Sequence, residues 1–329
     1  MFSILLSIGL IFYGFPVSES LDVIALKKAI ETKNENGIIN ILCYRPNFQR
    51  KFIMSTYFYK YRKDLHTELE NILSSHFANL ILNLIKDPAE YDAMEIERIS
   101  DYHFTMDPEK WGAAEILVLR THQEIEEMKK IYNAGKFMNV IKNVDRTYGL
   151  LTDLVRNKQK SESSKDLNKT SAQIDAEKLC EAGYNFFDED VFVEVFTTNN
   201  LEQLKLIFEK FPDTKCKTTI EELIEKKFSN TALASFKTVA QISNDRIGYF
   251  ADRLKHVITG CWIVNSFYED LTRIIITRSE IDLRAIQKEF DRRDGDDALV
   301  KLIQKKTSGS YRDALLALIK GNQSKKIIS

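Results

Sequence analysis

The sequence predicts an all-α fold made of four copies of one helical unit, and three observations predict it. Of 329 residues only 12 are Gly and 5 are Pro, well below the roughly 12% expected for the pair, so the turns that a sandwich or barrel needs are scarce. Apolar residues recur at i, i+3 and i+7 in Ile125/Met128/Tyr132, Leu204/Ile207/Phe211 and Leu283/Ile286/Phe290, with a weaker copy at Arg50/Ile53/Tyr57. That spacing is one face of a helix. The middle members, Ile53, Met128, Ile207 and Ile286, lie 75, 79 and 79 residues apart, which marks an internal repeat.

Each copy reads as several short helices. An apolar segment precedes every box (Ile38 to Leu42, Ile116 to Leu119, Val191 to Phe196, Leu271 to Ile276) and another follows it (Leu80 to Ile85, Leu150 to Val155, Phe236 to Ala240, Ala314 to Ile319). Helices of about ten residues do not stand alone in water, so each must pack on its neighbours. The copies are expected at 21–91, 92–155, 174–244 and 245–329. The stretch 156–173 (RNKQKSESSKDLNKTSAQ) carries five basic and two acidic residues and almost no apolar one. It reads as a solvated polar linker between two pairs of copies, with a basic membrane-attracting patch as the other use.

Residues 1–20 stand apart. Phe2 to Tyr13 is an apolar run followed by Gly14, Pro16 and a small polar stretch, with no Lys or Arg before it. A secretory signal peptide, an uncleaved anchor and a buried N-terminal helix all fit, and the run is short for a bilayer span. The signal peptide is the reading adopted, which places the chain among secreted proteins, peripheral at a membrane surface if it binds one.

Charge and motif content exclude several function classes. With 47 basic and 48 acidic residues the chain has no basic footprint for nucleic acid. The five His (66, 76, 103, 122 and 256) form no HExxH, and there is no G-x-S-x-G, P-loop or dinucleotide fingerprint, so no enzyme is expected. Cys43, Cys180, Cys216 and Cys261 lie far apart without metal-type spacing; four thiols are the expectation, two disulfides the alternative in an oxidising compartment. Asn168 and Asn322 open N-x-S/T sequons, relevant only on the secretory path.

The stretch Thr277-Arg278-Ser279-Glu280-Ile281-Asp282-Leu283-Arg284-Ala285-Ile286-Gln287-Lys288-Glu289-Phe290 closely resembles the third helix of the last annexin repeat. Thr307-Ser308-Gly309-Ser310-Tyr311 is similar to the annexin TSG-x-Y turn, and Arg45-Pro46-Asn47-Phe48-Gln49-Arg50 and Leu201-Glu202-Gln203-Leu204 match more loosely. The likeness runs over essentially everything after residue 21. It implies four repeats of about five helices in a curved disc, whose convex face meets anionic phospholipid through bound calcium. In that family a K/R-G-x-G-T loop between the first two helices offers backbone carbonyls to the ion. A carboxylate before the last helix closes the shell.

No copy keeps that arrangement. The loops read Ala29 to Gly37, two residues short and without paired glycines; Ser100 to Pro108; Ala182 to Asp190; and Ile258 to Ser266. The carboxylate positions fall on Ile72, Lys142, Lys227 and Lys306. A lysine some 4 Å from a calcium position is strongly repulsive, so the expected cofactor is none, with calcium at most weakly bound. Loops two to four carry apolar residues instead: Phe104 and Met106, then Phe186 and Phe187, then Trp262, Ile263 and Val264. These are the candidate membrane contacts, weighed against packing onto the repeats; packing is favoured for Phe186 and Phe187, and neither reading for the Trp262 loop. Asp188, Glu189, Asp294 and Asp296 are the remaining weak metal candidates, a helix start and a turn being their plain readings.

The resemblance therefore implies a secreted annexin-like protein that binds an anionic phospholipid membrane surface with weak or absent calcium dependence. The alternative is a secreted interaction scaffold for an extracellular or host protein, similar to annexin-like proteins that parasites deliver around a host. A third possibility is calcium-dependent phospholipid binding through non-standard ligands.

Overall fold

Short polar side chains open the helices. In the computed structural model, which describes residues 16–101, 111–145, 149–163, 167–184, 187–260 and 264–321, the side chains of Asn34, Asp64, Thr121, Asn200 and Thr219 each accept a hydrogen bond from the backbone N–H three residues on. That bond satisfies one of the amides that a helix start leaves without a partner. Thr121 with Glu124 and Thr219 with Glu222 complete reciprocal capping boxes.

Nineteen α-helices and no strand occur among the described residues. They are α1 (Pro16–Glu31), α2 (Glu35–Leu42), α3 (Asn47–Tyr61), α4 (Leu65–Glu70) and α5 (Ser75–Leu84), then α6 (Pro88–Asp101), α7 (Trp111–Leu119), α8 (His122–Tyr132), α9 (Ala134–Val144) and α10 (Leu150–Ser163). The second half holds α11 (Lys169–Tyr184), α12 (Glu189–Thr198), α13 (Leu201–Lys210), α14 (Ile220–Lys227), α15 (Asn230–Thr259), α16 (Val264–Arg278), α17 (Leu283–Asp294), α18 (Ala298–Lys306) and α19 (Gly309–Gly321). Asp245, at φ −150° and ψ 86°, breaks α15 into two pieces, and its side chain accepts from Gly248 N at 2.9 Å as the cap of the second piece. Counting those pieces separately, each repeat has five helices.

The chain divides into two compact units, one holding the residues up to Asp87 and from Phe250, the other Pro88–Tyr249. In the first unit α19 packs on α2 and α5, and α16 packs on α5, so the first and last repeats share a core. In the second, α10 of the second repeat packs on α12 of the third, joining the middle repeats, and α11 packs on α13 within the third.

The repeated box residues explain this arrangement. Ile53, Met128, Ile207 and Ile286 sit on the third helix of their repeats and are fully buried. Full burial of a side chain of that size stabilises the fold by about 1.5–3 kcal/mol. In the second unit the core includes an aromatic cluster. Phe228 stacks on Phe236 with centroids 4.3 Å apart, and Phe192 and Phe196 meet them edge-on at 5.3 and 5.2 Å. Such pairs add roughly 0.5–1.5 kcal/mol beyond area burial.

Two expectations are corrected. The stretch 156–173 is not a coil throughout: α10 runs on to Ser163 and α11 starts at Lys169. Polarity alone does not end a helix, and this stretch contains neither Gly nor Pro and carries four Lys, a good helix former. Nor are the cysteines four thiols. Cys180 on α11 is bonded to Cys216, while Cys43 is a buried thiol pushed up to about 12 by burial. Closing a loop of 36 residues stabilises by about 4 kcal/mol on the chain-entropy account. Cys261 lies outside the described residues. Asn168 caps α11 by accepting from Ser171 N at 2.9 Å, and Asn322 lies outside the described residues.

Candidate ion and membrane loops

In the first repeat the connection between α1 and α2 is only Thr32–Asn34, because most of the expected loop is helical. Lys33 takes a left-handed conformation, φ 52°. Asn34 N donates to Ala29 O at 2.8 Å and Lys33 N donates to Ile30 O at 3.1 Å. This paired closure is the usual end of a helix, with Lys where Gly normally stands. The Ala29 and Ile30 carbonyls are thereby directed along the helix, and the Asn34 side chain turns back to cap α2. Two carbonyls at the end of α1 are thus already engaged by the backbone of the connection.

The other three connections lie partly outside the described residues, including Phe104, Met106, Phe186, Trp262 and Ile263. Of the remaining candidates, Phe187 is not a tip: it is half-buried and meets Phe228 at 4.9 Å and Phe192 at 5.7 Å, so it belongs to the aromatic core. Tyr184, at the end of α11, is exposed. Val264 opens α16 rather than extending a loop.

The positions expected to have lost a carboxylate are Ile72, half-buried between α4 and α5, and three lysines at helix ends. Lys142 lies in the last turn of α9, Lys227 ends α14 and Lys306 ends α18. A helix C-terminus carries a partial negative charge, so a lysine there is favourable by about 0.3–1 kcal/mol and an acid is unfavourable unless a cation offsets it. A lysine at these ends therefore supplies a positive charge where the helix carries a partial negative one.

A side-chain network ties the first repeat together. Glu68 on α4 accepts from Lys27 of α1 at 2.9 Å, from the Tyr57 hydroxyl of α3 at 3.0 Å and from Lys63 at 2.8 Å. The hydrogen bonds from Lys63 and Lys27 hold its carboxyl at about 2, well below the usual carboxylate range, and burial pushes the Tyr57 phenol up to about 12. α1, α3 and α4 are therefore joined through one carboxylate.

The weak metal candidates have other partners. Asp188 caps α12 by accepting from Asp190 N at 3.2 Å, and Glu189 lies in the first turn, where acids suit the dipole. Asp294 is ion-paired with Lys255, and Asp296 lends its carbonyl to Lys301 Nζ at 2.6 Å. Among the described residues no three His, Cys, Asp or Glu side chains converge. No described helix is long and apolar enough to cross a membrane.

The family model described as Annexin matches residues 22–84 and 249–318. Over 311 residues the chain is 31% identical to annexin A3 of Mus musculus, an alignment covering 92% of this chain and 93% of that protein. The chain belongs to the annexin family. It is also similar to annexin A1 of Homo sapiens, 29% identical over 310 residues covering 92% and 87% of the two proteins. The solved structure of annexin III aligns with a TM-score of 0.82 at 27% identity, over 92% of this chain and 93% of that one. This annexin therefore keeps the family fold, with a helix cap at Asp188 and an ion pair at Asp294.

Two features of this annexin were missed in the sequence. The Glu68 network has a local signal, Lys63 and Glu68 flanking a helix start, but Lys27 reaches it only through packing. The solvent face of α3 bears Phe48, Phe52, Phe58 and Tyr59, all exposed, and their spacing was readable opposite the buried Ile53 and Tyr57. Replacing Glu68 by Gln is expected to lower unfolding stability by about 1–3 kcal/mol at pH 7. Because the folded-state carboxyl is depressed, its stabilisation is present above about pH 4.5 and lost as pH falls toward about 2. Urea melts of both proteins across that range check this: the difference between them should shrink as the pH is lowered.

Proposed function

We propose that this annexin attaches to anionic phospholipid membranes without calcium at its four repeat loops. The observation that carries the reading is the replacement of the four ligand carboxylates by Ile72, Lys142, Lys227 and Lys306, with the three lysines seated at helix C-termini. Family membership supports the membrane partner, and the closed Thr32–Asn34 connection supports the loss of the ion. In place of calcium, the contact is assigned to apolar loop residues: Phe104, Met106, Phe186, Trp262 and Ile263, with Tyr184. Aromatic side chains of this kind favour the headgroup region.

We also propose that the chain is secreted. Besides the apolar run Phe2 to Tyr13, the Cys180–Cys216 bond supports this, since disulfides persist mainly in oxidising compartments.

Sedimentation with phosphatidylserine-containing vesicles tests the first reading. The protein is expected to pellet equally in millimolar calcium and in excess chelator; pelleting only with calcium, or in neither condition, contradicts it. Mass spectrometry of the chain recovered from the medium of expressing eukaryotic cells tests the second. A chain shortened by about twenty residues with Cys180 bonded to Cys216 is expected; retention inside the cells with all thiols free contradicts it.

A further inference from the structure

The third helix of the first repeat has an unusual solvent face. Phe48, Phe52 and Tyr59 lie at i, i+4 and i+11, within about 40° of one another around the helix axis. They point away from Ile53 and Tyr57, which are fully buried. Phe48 is 63% exposed, Phe52 50%, Phe58 55% and Tyr59 76%. Single exposed apolar residues need no explanation, but an aromatic stripe interrupted only by Ser55 marks an interaction surface.

The charged residues of α3 itself are all basic, and the acids beside it, Asp87, Glu68 and Glu280, pair with Lys51, Lys63 and Arg50. α3 contains no Asp or Glu, and Lys51, Lys60, Arg62 and Lys63 line its edge, all exposed. Lys51 and Lys63 have carboxylate partners in Asp87 and Glu68. The contacts of Arg62 and Lys60 are instead aromatic: the Arg62 guanidinium lies 5.3 Å from the Tyr59 ring centre and the Lys60 ammonium 5.6 Å from that of Tyr61. Leu21 and Ile24 of α1 are exposed as well. They flank Asp22, which pairs with Arg45 just before α3 at 2.7 Å.

We propose that this face of α3 is a membrane-contact surface for anionic phospholipid. The inference rests on the membrane reading above but places a contact away from the repeat loops. Aromatic rings with a polar or cationic edge favour the headgroup boundary, and long basic side chains reach outward to phosphates while their stems lie on apolar surface. A second copy of the chain suits the face less well. A two-fold contact sets the same patch against itself, which would bring Lys60 and Arg62 against their own counterparts with no acid on either helix. The Arg45–Asp22 pair places the start of α3 beside the first half of α1, about 15 Å along that helix from the Thr32–Asn34 connection. Contact through α3 therefore needs no ion at that connection.

The test uses the full chain in chelator, with vesicles containing phosphatidylserine and with vesicles of phosphatidylcholine alone. Two variants are compared with the parent, F48S/F52S/Y59S and K60E/R62E; all five side chains are exposed, and circular dichroism melts verify that each variant folds. The parent is expected to bind the serine-lipid vesicles, and each variant to bind them at least about tenfold more weakly. Parent binding that both variants retain in full overturns the inference and leaves the membrane reading standing. Failure of the parent itself removes that reading and this inference with it. A parent that sediments as a dimer, a serine variant that is monomeric and unchanged vesicle binding would assign the face to a second copy instead.

Discussion

Everything in this fold depends on burying the inner face of each repeat's third helix. Most helices here have between six and sixteen residues, and pieces of that length are marginal in water. They persist because Ile53, Met128, Ile207 and Ile286 are withdrawn from solvent beneath the flanking helices of their repeats. The pairing of first with last repeat and of second with third extends the same apolar contact. Caps and capping boxes set where each helix begins, but at about 1 kcal/mol each they are smaller contributions than the core.

Electrostatics settles what the repeat ends do. A carboxylate at the end of a helix needs a cation to be favourable, whereas a lysine there is favourable by itself. Lys142, Lys227 and Lys306 stand at such ends and Ile72 in the fourth place, which favours the proposed ion-free state. In the first repeat, Glu68 joins α1, α3 and α4 through Lys27, Tyr57 and Lys63. The scarcity of glycine has a second meaning in this light. Lys33 occupies the left-handed position that closes α1, where Gly is the residue of lowest cost.

The repeats and their core residues were legible because a 3.6-residue period survives in any sequence that must bury one helix face, as the Leu204/Ile207/Phe211 box does. The ends of α10 and α11 were not legible, since polarity was read as a break although no Gly or Pro stands between Arg156 and Gln173. The disulfide was hidden for another reason: Cys180 and Cys216 meet only after α11 and the segment beyond α13 have packed. Phe187 was legible: packing onto the repeat was its favoured reading, and it lies against Phe192 and Phe228. The face of α3 was legible in spacing and went unread, because its aromatic residues resemble core positions until Ile53 and Tyr57 are seen to occupy the inner side.

The central claim is that the four repeat ends are stable without calcium and do not bind it. Calorimetric titration of the full chain with calcium, in the presence of phosphatidylserine-containing vesicles, tests this most directly. The account predicts no saturable heat up to millimolar calcium, the range that spans sensor and extracellular sites. A saturable heat with one or more ions bound per chain would contradict it.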